Sequence, residues 1–292
     1  MDNGEFAEIK AKIREEHPEV PWVDVCTEPI WYGRNPRTIL DNPIDGRFAV
    51  VGSPHDDPAD ERVFCVASTQ YQIVRPELAV HQFKEALRGF REYGEPKITI
   101  RSFGDGAKWF AEAIFPVTVN VNGRDISPKA GQKNSLDLGW EYSNWFGAYD
   151  YICTNGMVAG HLELMSKKKH RLNLDICDQT AKLTKGMHSM SEQFLIWEGW
   201  AQKKLNQAAT ETFLEAVPAI TENQCEKILE LPIRGEDRSM NDLLLKDKAN
   251  VWLLHAAVTQ YYTHEVVESV SRIEREDKIA HQFNQAAMKL AA

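Results

Sequence analysis

The chain has 292 residues, of which 43% are hydrophobic, 26% charged and 10% aromatic, and its formal net charge is −9. This composition supports a folded core, whereas the acidic balance argues against a generic nucleic-acid binder with a basic surface. The polar start carries no secretory segment, no apolar run approaches a membrane span, and the five cysteines form no CxxC pair. These features predict a soluble protein without a membrane partner, in the cytoplasm, or in the host-cell cytoplasm if a phage encodes it.

The first two thirds of the chain alternate between helical and strand patterns. Apolar residues at helical spacing predict a helix over residues 5–16. Residues 21–45 are rich in Pro, Asn and Asp, which is typical of a long irregular connection. Short strands are predicted over 46–52 and 62–67, and a helix over 76–93. An antiparallel meander follows, with strands predicted over residues 97–103, 109–115, 117–121, 138–146 and 148–153, and tight turns at Asn122-Gly123 and Asn155-Gly156.

After residue 191 the apolar period becomes helical. Helices are predicted along residues 194–205, 221–229, from Ser239 onward, 249–270 and 271–290, with a capping pair Thr221/Gln224. The fold class is therefore α+β: a central antiparallel β-meander with a packing helix, followed by a mainly helical C-terminal third. The predicted segments are an irregular and strand-containing 1–70, an α+β core 71–190 and a helical 191–292, with one continuous domain as the alternative.

Charge is distributed unevenly along the chain. Residues 1–96 carry 11 basic and 18 acidic side chains, residues 97–185 carry 12 and 9, and residues 186–292 carry 11 and 16. Within the middle third, residues 167–185 contain six cations and only two acidic residues, Asp175 and Asp178. The cations are Lys167, Lys168, Lys169, Arg171, Lys182 and Lys185. A local patch of this kind can bind phosphates on an acidic protein. The alternative is a solvated, lysine-rich loop.

A second set of candidate nucleic-acid-binding cations lies in the predicted meander: Arg101, Lys108, Lys129 and Lys133. The same region is rich in aromatic rings, namely Trp109, Trp140, Tyr142, Trp145, Phe146, Tyr149 and Tyr151. Rings that stack on bases, flanked by cations that neutralise phosphates, are how proteins hold single strands. The alternative is that the rings fill the core, because Trp140, Tyr142 and Phe146 share one parity.

Catalytic and cofactor motifs are absent from the sequence. It has no phosphate loop, no dinucleotide fingerprint and no nucleophile elbow. His161, His170, Cys177 and His188 lack the close pairing of a metal site. Asp56 and Asp57, followed by Glu95-Pro96-Lys97, superficially copy a metal-dependent nuclease, but Pro96 is unsuited to the strand that such a site requires. We therefore predict no catalytic residues, no metal and no cofactor.

Residues 132–160 carry three short motifs: Asn134-Ser135, Gly147-Ala148-Tyr149 and Cys153-Thr154-Asn155-Gly156-Met157. They resemble a family of phage- and plasmid-borne proteins that is defined by a domain of unknown function. The family's basic stretch is matched by residues 167–171, and its flanking motifs by residues 71–74 and 250–262, whereas Leu138-Gly139 departs from its usual Gly-Ser. The resemblance identifies a structural motif with the members Asn134, Ser135, Gly147, Tyr149, Cys153, Asn155 and Gly156.

The resemblance implies a mobile-element setting, in which single-strand-annealing recombination proteins of this size are common; that step is an analogy. The resulting hypothesis is a non-enzymatic protein that binds and anneals single-stranded DNA in phage or prophage recombination or replication. It would act as a homo-oligomer, which repeats the local patch along a strand. The alternatives are an accessory protein that binds a host protein without nucleic acid, and a divalent-metal nuclease.

Overall fold

The computed structural model describes residues 2–31, 43–54, 57, 59–150, 155–158, 165–188, 190–267 and 269–290, with the backbone alone at 31, 43, 149–150, 155–158, 165–166, 185–188, 191 and 277. It confirms the α+β class, with antiparallel sheets in the first two thirds and a helical C-terminal part. No helix among the described residues is long and apolar enough to cross a membrane.

Ten strands are found in the described ranges. In chain order, β1 to β10 are Val23–Trp31, Pro43–Pro54, Arg62–Ser68, Lys97–Phe103, Lys108–Ile114, Val119–Val121, Arg124–Ser135, Tyr142–Asp150, Asn155–Val158 and Met165–Lys168. The first three form a small sheet in the order β1-β2-β3. The others form the central sheet, in the order β10-β8-β7-β5-β4, with β6 paired to β7 and β9 to β8. Every strand pair is antiparallel.

The helices fall mainly after the central sheet. In chain order, α1 to α9 are Asn3–Glu16, Pro76–Leu87, Ile176–His188, Met190–Gln202, Gln207–Glu215, Glu222–Glu230, Met240–Leu245, Val251–Gln260 and Val270–Lys289. A 3₁₀ turn, Arg88–Tyr93, continues α2, and a π-helical turn, Tyr261–Glu265, continues α8.

Local signals in the sequence are confirmed where they rest on turn and cap chemistry. Asn122 and Gly123 have φ of 52° and 80°, the left-handed pair of a two-residue hairpin, and they join β6 to β7. The Thr221 and Gln224 pair forms a capping box at the start of α6. Ser239 caps α7, where its side chain accepts the backbone N–H of Asp242.

Two predictions in the strand region are wrong. Residues 21–45 are not one irregular connection, because Val23–Trp31 pairs with β2 and buries Trp22 in a stack on Trp109, with centroids 5.1 Å apart. Asn155-Gly156 is not a turn, since both residues lie inside β9 and pair with β8. In the first case β2 and Trp109, both distant along the chain, override the local turn signal. In the second, pairing with the nearby residues Asp150 and Tyr149 takes Asn155 and Gly156 into a strand.

Two further element boundaries differ from the prediction. The strand predicted over 138–146 begins only at Tyr142, because residues 136–140 form a bend that Ser135 holds: its Oγ accepts the Trp140 N–H at 2.9 Å. The helix predicted over 249–270 ends in the π-helical turn. A new helix starts after it, with the Ser269 Oγ accepting the N–H of Arg272.

The two faces of the central sheet have different covers. On one, here called the α2/α3 face, Gln132 Nε2 donates to Ala79 O at 3.1 Å, Asn134 Nδ2 donates to Val74 O at 2.9 Å, and Tyr142 contacts α3. The other face, here called the α9 face, is covered by the start of α9. The strand register places charged and aromatic side chains next to one another on this face, namely Arg101, Phe110, Glu112, Lys133 and Trp145.

The main hydrophobic core draws residues from all three predicted segments. It includes Ile13 from α1, Phe115 beside the central sheet, Trp197 from α4 and Phe283 from α9, each almost fully buried. Removal of any one of the three segments would expose large apolar surface on the remaining two. The three segments therefore depend on one another for stability.

Candidate nucleic-acid interface

The first set of predicted cations forms an exposed surface at the edge of the central sheet. Lys167 and Lys168 lie in the edge strand β10, and Lys169 and Arg171 follow in the next loop; all four side chains are exposed. These four residues are called the outer basic surface. Lys182 is also exposed but pairs with Asp178 at 2.9 Å, and the side chain of Lys185 lies outside the described residues.

A buried stack holds the loop of the outer basic surface in place. The His170 ring stacks on the Tyr71 ring, with centroids 5.2 Å apart. The His170 Nδ1 lies 3.1 Å from the carbonyl oxygen of Gln72, and Tyr71 pairs with Arg171 in an isolated bridge. Burial lowers the pKa of His170, so this residue is neutral near pH 7 and donates from Nδ1. His170 therefore positions the loop and adds no charge to it.

The outer basic surface borders a groove of about 560 Å³. Lys169 and Arg171 line it together with Arg47 of β2. Tyr71 and Trp140 also line it, but both are buried, with only 8% and 4% of each residue exposed. Among the described residues, none of these three cations forms an ion pair. The groove thus combines exposed positive charge with two largely buried aromatic residues, and Glu141 also lines it.

Arg47 was missed by sequence reasoning. It lies in a segment with a net negative charge, more than one hundred residues before Lys169, and no local pattern marks it. Antiparallel pairing of Arg47 with Ser68 brings the end of the small sheet to Gln70 and Tyr71, beside the loop of the outer basic surface. Only this pairing places the three cations on one groove.

The second set of predicted cations comes together on the α9 face, not on the open surface. Lys129 and Lys133 are buried, with 7% of each exposed. Lys129 and Arg101 both pair with Glu112, and Lys108 pairs with Asp137. Burial alone raises the pKa of Glu112, but Lys129 and Arg101 outweigh it and hold that pKa below its usual value. In this arrangement Lys129 and Lys133 are covered, whereas the side chains of Arg101 and Lys108 stay 30% and 17% exposed.

Cations and rings alternate on the α9 face. The Arg101 guanidinium lies 5.0 Å from the centroid of the Phe110 ring, and Lys129 Nζ lies 5.3 Å from that of Trp145. Lys133 Nζ and Lys108 Nζ lie 5.8 and 5.9 Å from the Trp140 ring. These are cation–π distances. The predicted proximity of cations and rings is found, but the three rings are buried, and so are Lys129 and Lys133.

The aromatic side chains divide between the two faces. Tyr142 and Phe146 pack on the α2/α3 face and Trp145 on the α9 face, as strand alternation requires. Trp140 packs with Trp145, so it does not share a face with Tyr142 although both positions have the same parity, because the bend before β8 interrupts the alternation. Trp140, Tyr142 and Phe146 are all buried, as the core alternative predicts. Of the remaining rings, the side chain of Tyr149 and all of Tyr151 lie outside the described residues.

The motif residues that can be described have structural contacts. Asn134 is buried and donates to Val74 O, and Ser135 accepts a hydrogen bond from Trp140 N–H and donates one to Trp140 O. Gly147 lies opposite Lys129 in the sheet. The structure gives backbone positions for Tyr149, Asn155 and Gly156, while Cys153 lies outside the described residues.

The carboxylates of the nuclease alternative do not form a metal site within the described ranges. Asp56 lies outside them, and Asp57 accepts the backbone N–H of Ala59. Across the described residues, no group of three or more His, Cys, Asp or Glu side chains is placed to hold a metal ion.

No protein-family model, curated protein or solved structure matches the chain. The resemblance to the phage and plasmid family therefore stays a prediction, and the function has to be argued from the geometry of this chain.

Proposed function

We propose that this protein binds single-stranded DNA without catalysing a reaction, and that it acts in phage or prophage recombination or replication. The observation that carries the proposal is the groove lined by the exposed cations Lys169, Arg171 and Arg47, which form no ion pair among the described residues. Clustered cations that neutralise phosphates hold the backbone of a single strand, and Tyr71 and Trp140 in the groove wall are the residues on which a base could stack if they became more exposed.

The remaining cations of the outer basic surface extend the groove along the sheet edge. Lys167 and Lys168 are successive residues of β10, so their side chains point to opposite sides of the strand. Both are exposed, and Lys169 follows directly. A backbone that crosses the end of β10 from the groove would therefore meet cations on either side.

Assembly into a homo-oligomer is part of the same proposal. In the small sheet, β3 is an edge strand, and its Val63 and Val66 are 64% and 51% exposed. An exposed apolar edge strand is a site at which a second chain pairs. Each subunit has few cations in the outer basic surface, but an oligomer repeats that surface, so a bound strand would contact the cations of several subunits.

A fluorescence-anisotropy titration with a labelled oligothymidylate tests the proposal. The variant K168A/K169A/R171A is expected to lose most of the affinity at low salt, because these side chains would bind phosphates. The matched control K227A/K246A/K248A removes the same charge from exposed lysines in the helical part and should bind like the wild type. Equal affinities of the two triple variants would overturn the proposed site.

Three further arms separate the alternatives. Equally tight binding of a duplex would contradict single-strand binding, and shortening of the oligonucleotide with Mg²⁺ would support the nuclease alternative. Native mass spectrometry of the wild type reports assembly. A monomer with and without oligonucleotide would refute the homo-oligomer.

A further inference from the structure

The first two turns of α9, residues 270–276, form a cover on the α9 face of the central sheet. Ile273 packs with Phe110, Trp140 and Trp145 in one buried cluster. Glu274 Oε1 accepts a hydrogen bond from Trp140 Nε1 at 2.8 Å. The cover therefore presents an apolar side chain to the rings and a carboxylate at the edge of a face that is rich in cations.

The cover is attached separately from the rest of its helix. The cluster around Ile273 is distinct from the main hydrophobic core, whereas Ile279 and Phe283, further along α9, belong to that main core. Release of the first two turns would thus expose the α9 face without opening the main core. Residues 266, 267 and 269, between the π-helical turn and α9, belong to no helix or strand.

The charged contacts under the cover are of a kind that phosphate can replace. Glu276 pairs with Arg272 at 3.0 Å. Burial raises the pKa of Glu276 and the charge of Glu112 adds to the rise, whereas Arg272 and Lys129 oppose it. Buried ion pairs add little net stability, because desolvation of both partners offsets their attraction. Arg272 and Glu276 both belong to the cover and would leave with it, whereas Glu112 would stay beside Lys129 in the sheet. Release of the cover would take the Glu276 charge away from Lys129, and a phosphate of the strand could replace that charge.

Trp140 connects the cover with the groove. Trp140 lines the groove although only 4% of it is exposed, and its Nε1 donates to Glu274 of the cover. Lys108 Nζ and Lys133 Nζ both lie within 6 Å of the ring centroid. Release of the cover would therefore expose more of this ring beside the groove, where a base could stack on it.

We propose that the α9 face is a second binding face for single-stranded DNA, and that the first two turns of α9 cover it until a strand in the groove displaces them. This inference rests on the proposed function. It adds a covered face, with Arg101, Lys108, Lys129 and Lys133 as phosphate contacts and Phe110 and Trp145 as stacking surfaces.

Loosening the cover is expected to tighten strand binding. In the anisotropy assay, Ile273→Ala and, separately, Glu274→Gln should each raise the affinity for oligothymidylate about tenfold, because apparent affinity scales with the fraction of open molecules. Glu274→Gln keeps the apolar packing, so it remains informative if Ile273→Ala folds poorly. Adding Lys133→Met to either variant should cancel the gain.

Ile279→Ala is the matched control, because it truncates the same residue type in the same helix but within the main core. It should lower stability without raising affinity. Equal affinities of wild type, Ile273→Ala and Glu274→Gln, or an equal gain in Ile279→Ala, would overturn the covered face. In the wild type, hydrogen exchange of residues 270–276 should speed up when oligothymidylate is added, and unchanged exchange would also count against it.

The outcomes distinguish this inference from the proposed function. If the wild type binds through the outer basic surface and neither cover variant binds more tightly, only the covered face is refuted. If K168A/K169A/R171A binds like the wild type while the cover variants gain affinity, only the outer site is refuted. If neither the wild type nor any variant binds, both are refuted. An oligouridylate arm shows whether the face selects DNA over RNA.

Discussion

The salt dependence of strand binding follows from the number of cations around the groove. Five exposed cations lie around it, the four of the outer basic surface and Arg47. Each phosphate contact on a single strand contributes about −0.7 to the slope of log affinity against log salt, so five contacts at the groove, without the α9 face, give an expected slope of about −3.5. Between about 50 and 200 mM salt the affinity should therefore fall about 100-fold.

The variant K168A/K169A removes two of these contacts. The expected slope is about −2.1, which corresponds to a fall of about 20-fold over the same range. The assay is anisotropy with oligothymidylate in a NaCl series, and K246A/K248A serves as a control with the same change in charge at exposed positions. An unchanged slope in K168A/K169A, or an equally reduced slope in the control, would refute the assignment of these lysines to phosphates.

Three stability predictions complement the binding experiments. A Cβ at Gly131 would lie 2.0 Å from the Trp145 ring, so Gly131→Ala should lower the free energy of unfolding in urea by about 1–3 kcal/mol, whereas Gly89→Ala, with no atom within 4 Å, should not lower it. Complete burial lowers the pKa of His255 from 6.5 to about 3, so the unfolded chain takes up a proton that the folded protein does not. Stability should be full above pH 6.5 and fall by about 1.4 kcal/mol per pH unit below it towards pH 3, with a shallower fall in His255→Phe. Asn250→Ala removes the side-chain acceptor that caps α8 and should cost about 1 kcal/mol in thermal unfolding; no loss would contradict the capping role.

Features that depend on a few consecutive residues could be predicted from the sequence. The Asn122-Gly123 hairpin and the caps at Thr221 and Ser239 lie where predicted, because side-chain and backbone groups three residues apart are sufficient to form them. The α+β class follows from the change of apolar period, which is also local.

Tertiary structure alone decided which charges are accessible. Local composition places Lys129 and Lys169 in the same basic region, yet strand register pairs Lys129 with Glu112 under α9, while Lys169 stays at the groove. The partner of Lys129 and the helix above it are set by pairings and packing between distant segments, which no short pattern encodes. Arg47 reaches the groove for the same reason. The sequence by itself thus determined the fold class and the presence of basic and aromatic side chains, and long-range packing determined which of them face solvent.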